Sequence, residues 1–269
     1  MANRLLDKMA ALHRKQEKAF CAFLTSGFPD LKKTADYAAG FEQAGVDILE
    51  LGFPFSDPLA DGPTIQYSSE RALEKGVTID SVFNLLAGLR KKGLKLPVIF
   101  FSYFNPILAY GLKRFAQKAA LAGFDGVLVP DLPPEEEENF RGECRKQGLC
   151  RIFLIAPTTS RERARYLATQ SEGFIYYVSL RGVTGVRSRI PNDVHTHLAE
   201  LKKTTTKPLL VGFGVSTPDQ AGYLAGLSAG VIVGSAIVEQ IRKSGGRTEP
   251  VLKYIRQMVR AVKRPASKS

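Results

Sequence analysis

Residues 49–66 read Leu49-Glu50-Leu51-Gly52-Phe53-Pro54-Phe55-Ser56-Asp57-Pro58-Leu59-Ala60-Asp61-Gly62-Pro63-Thr64-Ile65-Gln66. The stretch opens as an apolar run broken by one carboxylate, Glu50. It passes into a loop dense in Pro, Gly, Ser and Asp, and ends at a Pro-Thr helix start. This is one strand-to-helix unit. A Glu inside a buried strand is costly unless it has a task or a partner. Asp61, on the loop beyond the strand, can be brought to the same substrate. One buried acid and one loop acid suit general acid–base chemistry. The spacing alone also fits a core Glu paired with an Arg, followed by a polar turn.

The unit repeats along the chain. Short apolar runs recur at 20–26, 48–52, 98–102, 126–129, 152–156, 174–178, 209–212 and 231–234. They are rich in Val, Ile, Leu and Phe and do not alternate with polar residues, the pattern of parallel strands buried on both faces. Amphipathic segments lie between them at 34–44, 79–92, 112–122, 135–147 and 161–169, with Gly45, Gly93, Gly123 and Gly148 where helices should end. The reading is a single (β/α)8 TIM barrel over residues 1–269, with a doubly wound open sheet as the alternative. Residues 1–13 read as an extra N-terminal helix covering the barrel's bottom, and 263–269 as a disordered basic tail. The acidic run 135–138 fits a first helical turn, where negative charge suits the helix dipole.

With 269 residues the chain can bury a large core without disulfides or metal. Cys21, Cys144 and Cys150 are too scattered for a disulfide framework or a zinc site, and read as reduced, cytoplasmic cysteines. The N-terminus is too polar for a signal peptide, and no apolar run reaches the ~20 residues of a membrane span. A net charge of +12 raises nucleic-acid binding, but the charges are spread as pairs such as Lys91-Lys92 and Lys202-Lys203 on helix faces. The expectation is no nucleic acid and no membrane.

In a barrel, chemistry gathers at the C-terminal ends of the strands. Glu50 ends the second run; Gly214 follows the seventh and Gly234-Ser235 the eighth. Glycine turns followed by a helix N-terminus bind phosphate through backbone N–H groups and the helix dipole, without a Lys or Arg. Gly185, in the long loop 179–191, can close over the same phosphate, and that loop has the glycines of a mobile lid. His195 and His197 face different directions on a helix and read as surface residues. No Cys has a His partner in sequence, and Gly212-Phe213-Gly214 lacks the rest of a dinucleotide fingerprint. No metal ligand set is present.

The segment 49–66 closely resembles the signature of the tryptophan synthase alpha-chain family. The resemblance runs on through Thr25-Ser26-Gly27-Phe28-Pro29-Asp30, Tyr103-Phe104-Asn105-Pro106, Val129-Pro130-Asp131-Leu132-Pro133, Gly182-Val183-Thr184-Gly185-Val186-Arg187, Gly212-Phe213-Gly214-Val215 and Gly234-Ser235-Ala236. It implies a lyase that splits indole-3-glycerol phosphate into indole and glyceraldehyde 3-phosphate. Glu50 would be the general acid–base and Asp61 the acceptor for the indole N–H, with Tyr176 assisting proton transfer. Phe23, Phe101, Tyr103, Leu128 and Tyr176 match positions lining the indole site. Thr184 would hydrogen-bond Asp61 when the lid closes. The resemblance further implies a beta-chain partner in an assembly of two alpha and two beta chains. Pro54, Asp57 and Pro58 would lie at the contact. Pyridoxal phosphate would be held only by the beta chain and no cofactor by this one. Rival readings are another phosphate-binding barrel enzyme, a non-catalytic subunit that only activates a beta chain, and a nucleic-acid-binding barrel.

Overall fold

Residues whose side chains are apolar on both faces of a strand must be covered on both faces, and a closed sheet ringed by helices does this. The computed structural model describes residues 3–178, 192–212 and 214–264. In chain order these form α1 (Arg4–Arg14), β1 (Ala19–Thr25), α2 (Leu31–Gln43), β2 (Ile48–Gly52), α3 (Pro63–Glu74), α4 (Ile79–Lys91), β3 (Val98–Phe101), α5 (Phe104–Tyr110) and α6 (Leu112–Ala122). There follow β4 (Gly126–Leu128), α7 (Glu138–Lys146), β5 (Cys150–Ile152), β6 (Leu154–Ile155), α8 (Arg161–Gln170), β7 (Ile175–Val178), α9 (Asn192–Thr204) and β8 (Leu209–Gly212). The last elements are α10 (Pro218–Leu227), β9 (Gly230–Val233), α11 (Ser235–Lys243) and α12 (Thr248–Lys263).

All strand pairings are parallel, in the order β5-β4-β3-β2-β1-β9-β8-β7-β6. The two ends of that order, β5 and β6, are separated in sequence only by Phe153. They form one stave whose first half pairs with β4 and whose second half pairs with β7. Among the described residues the barrel therefore has eight staves, and the run expected as one strand at 152–156 begins earlier and is broken where it changes neighbour. A strand tilted in a barrel does not meet both neighbours over the same residues.

Inside the barrel lie Ala19, Cys21, Ile48, Ile99, Leu128, Ile152, Leu210 and Ile232, in one cluster with Leu5, Met9 and Leu12 of α1. The N-terminal helix thus plugs the bottom. It is held there by Asn3, which caps it and donates to the carbonyls of Asp125 and Gly148 at 2.8 Å each, and by an Arg4–Asp125 ion pair at 3.0 Å. Residues of opposite parity, such as Leu49, Leu51, Val98 and Phe100, pack outward against the helices. Gly45, Gly93, Gly123 and Gly148 end their helices with φ between 70° and 95°.

Two sequence expectations shift. Only Glu138 of the acidic run enters α7; Glu137 is fully buried against Arg151 of β5, with Arg151 Nε donating to Glu137 Oε2 at 2.8 Å. The guanidinium also donates to the Val127 carbonyl at 2.7 Å and lies over the rings of Phe140 and Phe153. Lys263, assigned to the tail, is the last residue of α12 and pairs with Asp47 at 2.8 Å; residues 265–269 lie outside the described residues. No helix among the described residues is long and apolar enough to cross a membrane.

Candidate active site

Glu50 is the third residue of β2, its Cα opposite Phe23 of β1 and Ile99 of β3. By the two-residue period of a strand it shares the inward face with Ile48 and Gly52. It is 1 % exposed, and its Oε1 has no hydrogen-bond partner among the described residues. Burial raises its pKa from the ordinary 4.5 to about 8, opposed by a hydrogen bond with the Cys21 side chain. A carboxyl group so placed carries its proton at neutral pH.

The neighbouring inward positions are aromatic. Phe23 meets Phe101 edge to face at 5.6 Å between ring centres. Tyr176 of β7 is held neutral by burial first and then by the field of Glu50, Cys21 and Asp61. Two glycines make room for these rings. A Cβ on Gly52 would fall 2.4 Å from the Phe23 ring, and one on Gly212 would fall 2.4 Å from Tyr176. Only glycine at these strand ends allows both aromatic side chains their places. Leu128, opposite Phe101 and Ile152, is wholly buried in the inner cluster.

Asp61 reaches the same region from the loop between β2 and α3. Burial raises its pKa from 3.8 to about 6, opposed by a hydrogen bond from Tyr103. Tyr103 is 3 % exposed, and its hydroxyl accepts from the Ala60 N–H at 2.9 Å. It therefore tethers the loop beside Asp61, in addition to standing at an expected indole-lining position. Further anchors are Phe53 stacked on Phe100, Phe55 tilted against Tyr103, and the Gln66 side chain donating to the Asp61 carbonyl at 2.8 Å. Within the expected contact segment, Pro54 is buried and Asp57 exposed, with Pro58 between these extremes. Leu59, which the sequence reading passed over, is 92 % exposed.

Gly214 follows β8 and Gly234 follows the adjacent β9. Gly234 stands at the N-cap of α11, which has no side-chain cap. Its carbonyl accepts from the N–H groups of Ile237 and Val238 at 2.8 and 3.1 Å. The first-turn N–H groups and the dipole of α11 thus meet the mouth of the barrel without a competing side chain. Among the described residues a Cβ on Gly214 would meet nothing within 4 Å, and the nearest atoms to one on Gly234 would be those of Phe23 at ordinary contact distance. Ser235, the first residue of α11, is exposed.

Thr184 and Gly185, with the rest of the expected lid, lie outside the described residues. His195 is exposed and His197 half-buried on the outer helix α9. Cys21 was not singled out by sequence; its signal is only its inward parity on β1, two residues before Phe23.

The chain is similar to known proteins over nearly its whole length. The model of the tryptophan synthase alpha-chain family matches residues 9–267. The alpha chain of Geobacter sp. (strain M21) is 48 % identical over 244 residues, 91 % of each chain. That of Gloeobacter violaceus is 46 % identical over 261 residues, 96 % of this chain and 94 % of the relative. The crystal structure of tryptophan synthase subunit alpha from Legionella pneumophila str. Paris superposes with a TM-score of 0.90 at 34 % identity, covering 97 % of this chain and 99 % of that one.

Proposed function

The chain belongs to the tryptophan synthase alpha-chain family, and from that premise we propose which of its side chains carry out the family's reaction. The chain is a lyase of tryptophan biosynthesis that cleaves indole-3-glycerol phosphate to indole and glyceraldehyde 3-phosphate. The reaction is a retro-aldol cleavage at indole C3. The bond cannot break until the ring can accept its electron pair, and protonation at C3 creates an iminium nitrogen that does so. Glu50, protonated at neutral pH, delivers that proton. The carboxylate left behind takes the proton of the glycerol hydroxyl as the carbon–carbon bond breaks and the aldehyde forms. Glu50 returns to its starting state, and no net proton is consumed.

Asp61, ionised above about pH 6, accepts the indole N–H and stabilises the positive charge that grows on nitrogen. Two carboxyl groups in one site thus take opposite roles because burial separates their pKa values. Phe23, Phe101 and Leu128 supply apolar surface for the indole, and Tyr176 assists proton transfer. The phosphate rests on the backbone at Gly214, Gly234 and Ser235. The observation that carries this reading is Glu50 itself: a wholly buried, inward-facing carboxyl with an oxygen that has no partner among the described residues. Such a group costs stability and is retained for a task.

Chains of this family work with a beta chain. For this one we propose an assembly of two alpha and two beta chains, with pyridoxal phosphate in the beta chain and indole passing between them. Asp57, Pro58 and the exposed Leu59 would form the contact, while buried Pro54 shapes the loop behind them. The test is indole release from indole-3-glycerol phosphate, titrated with a beta chain. Ordering the Asp61 loop should raise the rate well above that of the isolated chain; a population shift of ~1.4 kcal/mol is tenfold. A flat titration, with complex formation confirmed separately, would refute the coupling.

A further inference from the structure

The turn after β8 carries Gly214 and is fastened from outside the barrel. Gly214 has a φ of 44°, and Val215, Ser216 and Thr217 lead from it into α10. The Gln220 side chain of α10 reaches back to this turn. Its Oε1 accepts from the Ser216 N–H at 3.0 Å, the Ser216 hydroxyl at 3.2 Å and the Thr217 N–H at 3.3 Å. The Thr217 hydroxyl accepts in turn from the Gln220 N–H at 3.3 Å, completing a capping box. The N–H groups of Ser216 and Thr217 are thus occupied. Those of Gly214 and Val215 have no acceptor among the described residues, although Val215 is 3 % exposed. An N–H at a buried residue calls for a partner, and a phosphate oxygen at the barrel mouth is one. The other side of the turn is held by the C-terminal helix: the Tyr254 hydroxyl of α12 donates to the Ser216 carbonyl at 3.1 Å. The peptide unit between Ser216 and Thr217 is therefore held at both polar ends, its N–H by Gln220 and its carbonyl by Tyr254.

The hydroxyl stands on a firm support. The Tyr254 ring is half-buried and packed against the core. α12 lies along α10, so close that a Cβ on Gly222 would fall 3.2 Å from the Ala261 carbonyl. At its far end Lys263 pairs at 2.8 Å with Asp47, just before β2 at the bottom of the barrel. The helix is a strut from the bottom of the barrel to the turn at its mouth. We propose that Tyr254 is a positioning residue for phosphate binding, fixing the Ser216 carbonyl on α12 so that the N–H groups of Gly214 and Val215 face the phosphate. Without the hydroxyl that peptide unit can swing, and a carbonyl turned toward the mouth sets partial negative charge against the anion. The inference rests on the reading of Gly214 as a phosphate contact.

The test is Tyr254→Phe in the full-length chain, which removes one oxygen and keeps the ring. The KM for indole-3-glycerol phosphate and the inhibition constant of glyceraldehyde 3-phosphate should both rise about two- to tenfold, the worth of one neutral hydrogen bond. The kcat should stay near the parent, and so should the inhibition constant of indole, which carries no phosphate. That split separates a held turn from a loosened barrel. Unchanged KM and glyceraldehyde 3-phosphate inhibition would overturn the proposal. An equal rise in the indole constant would overturn it too, by showing that the hydroxyl supports the barrel as a whole. Gly234→Asp tests the underlying reading: an unaltered glyceraldehyde 3-phosphate constant there would remove the phosphate from this end of the barrel, whatever Tyr254→Phe shows.

Discussion

Replacing Glu50 by Gln separates the cost of this residue from its use. The amide keeps the shape and removes the titrating proton. Cleavage should fall by at least ~10²–10⁴-fold, since one residue serves both proton transfers. Stability should move the other way. In the folded chain Glu50 gives up its proton only near about pH 8, against an ordinary value of 4.5. Between these values the folded chain binds a proton that the unfolded chain has released. Stability therefore declines as pH rises from 4.5 to about 8, and the full cost is present above that. At ~1.4 kcal/mol per pH unit, the gap sets a ceiling of roughly 5 kcal/mol. Glutamine carries no such dependence. Glu50→Gln should equal the parent at the acid end of the window and exceed it by on the order of 4 kcal/mol at the alkaline end. The assay is urea unfolding of both chains by far-ultraviolet circular dichroism, at about pH 5 and about pH 9. If parent and variant lose the same stability between those conditions, Glu50 is not desolvated as described. Indole release within about tenfold of the parent would remove its catalytic role.

Asp61→Asn should be severely impaired in turnover while glyceraldehyde 3-phosphate binding is little changed, because the amide keeps a hydrogen bond but cannot balance charge; unaltered turnover would make Asp61 a turn residue. For the isolated parent, kcat/KM should follow a bell in pH. Its acid limb lies near about 6, where Asp61 is protonated and loses its charge, and its alkaline limb near about 8, where Glu50 loses the proton it must donate. Gly234→Asp should fold, since the nearest described atoms to its Cβ are those of Phe23 at ordinary contact distance, yet bind substrate far more weakly; a ligand-bound structure with the phosphate clamped mainly by Lys or Arg would refute the backbone site. Arg151→Met should cost roughly 3–5 kcal/mol by taking from buried Glu137 its main counter-charge, Arg141 standing 4.0 Å away, and Glu137→Gln in that background should recover part of the loss; additive losses would mean the pair is not coupled.

The barrel was legible because burial on both faces of a strand leaves a local trace. The run 209–212 is apolar throughout and 48–52 is apolar but for Glu50, and each of the runs lies within one or two residues of an observed strand. Glu50 stood out as the single charge in such a run, and Asp61 as a carboxylate on the loop that follows. The glycine turns at 214 and 234 were readable because their spacing from the last two strands is a property of adjacent residues.

Contacts between distant residues left no such trace. The fifth stave breaks at Phe153 because its two halves pair with β4 and β7, and sheet closure is not a local property. The tether from Tyr103 to Ala60 spans 43 residues, and the buried pair of Arg151 and Glu137 spans 14 across a helix. Cys21 reads in sequence as one more small apolar residue of β1. Only the register of β1 on β2 sets it beneath Glu50, because parallel pairing joins residues about thirty apart and a strand's own sequence does not name its partner's register. Sequence thus determined which residues are buried and where the acids stand along their strand and loop. Tertiary structure decided which side chains surround those acids, and with that their pKa values, since desolvation and partner contacts arise only when the barrel closes.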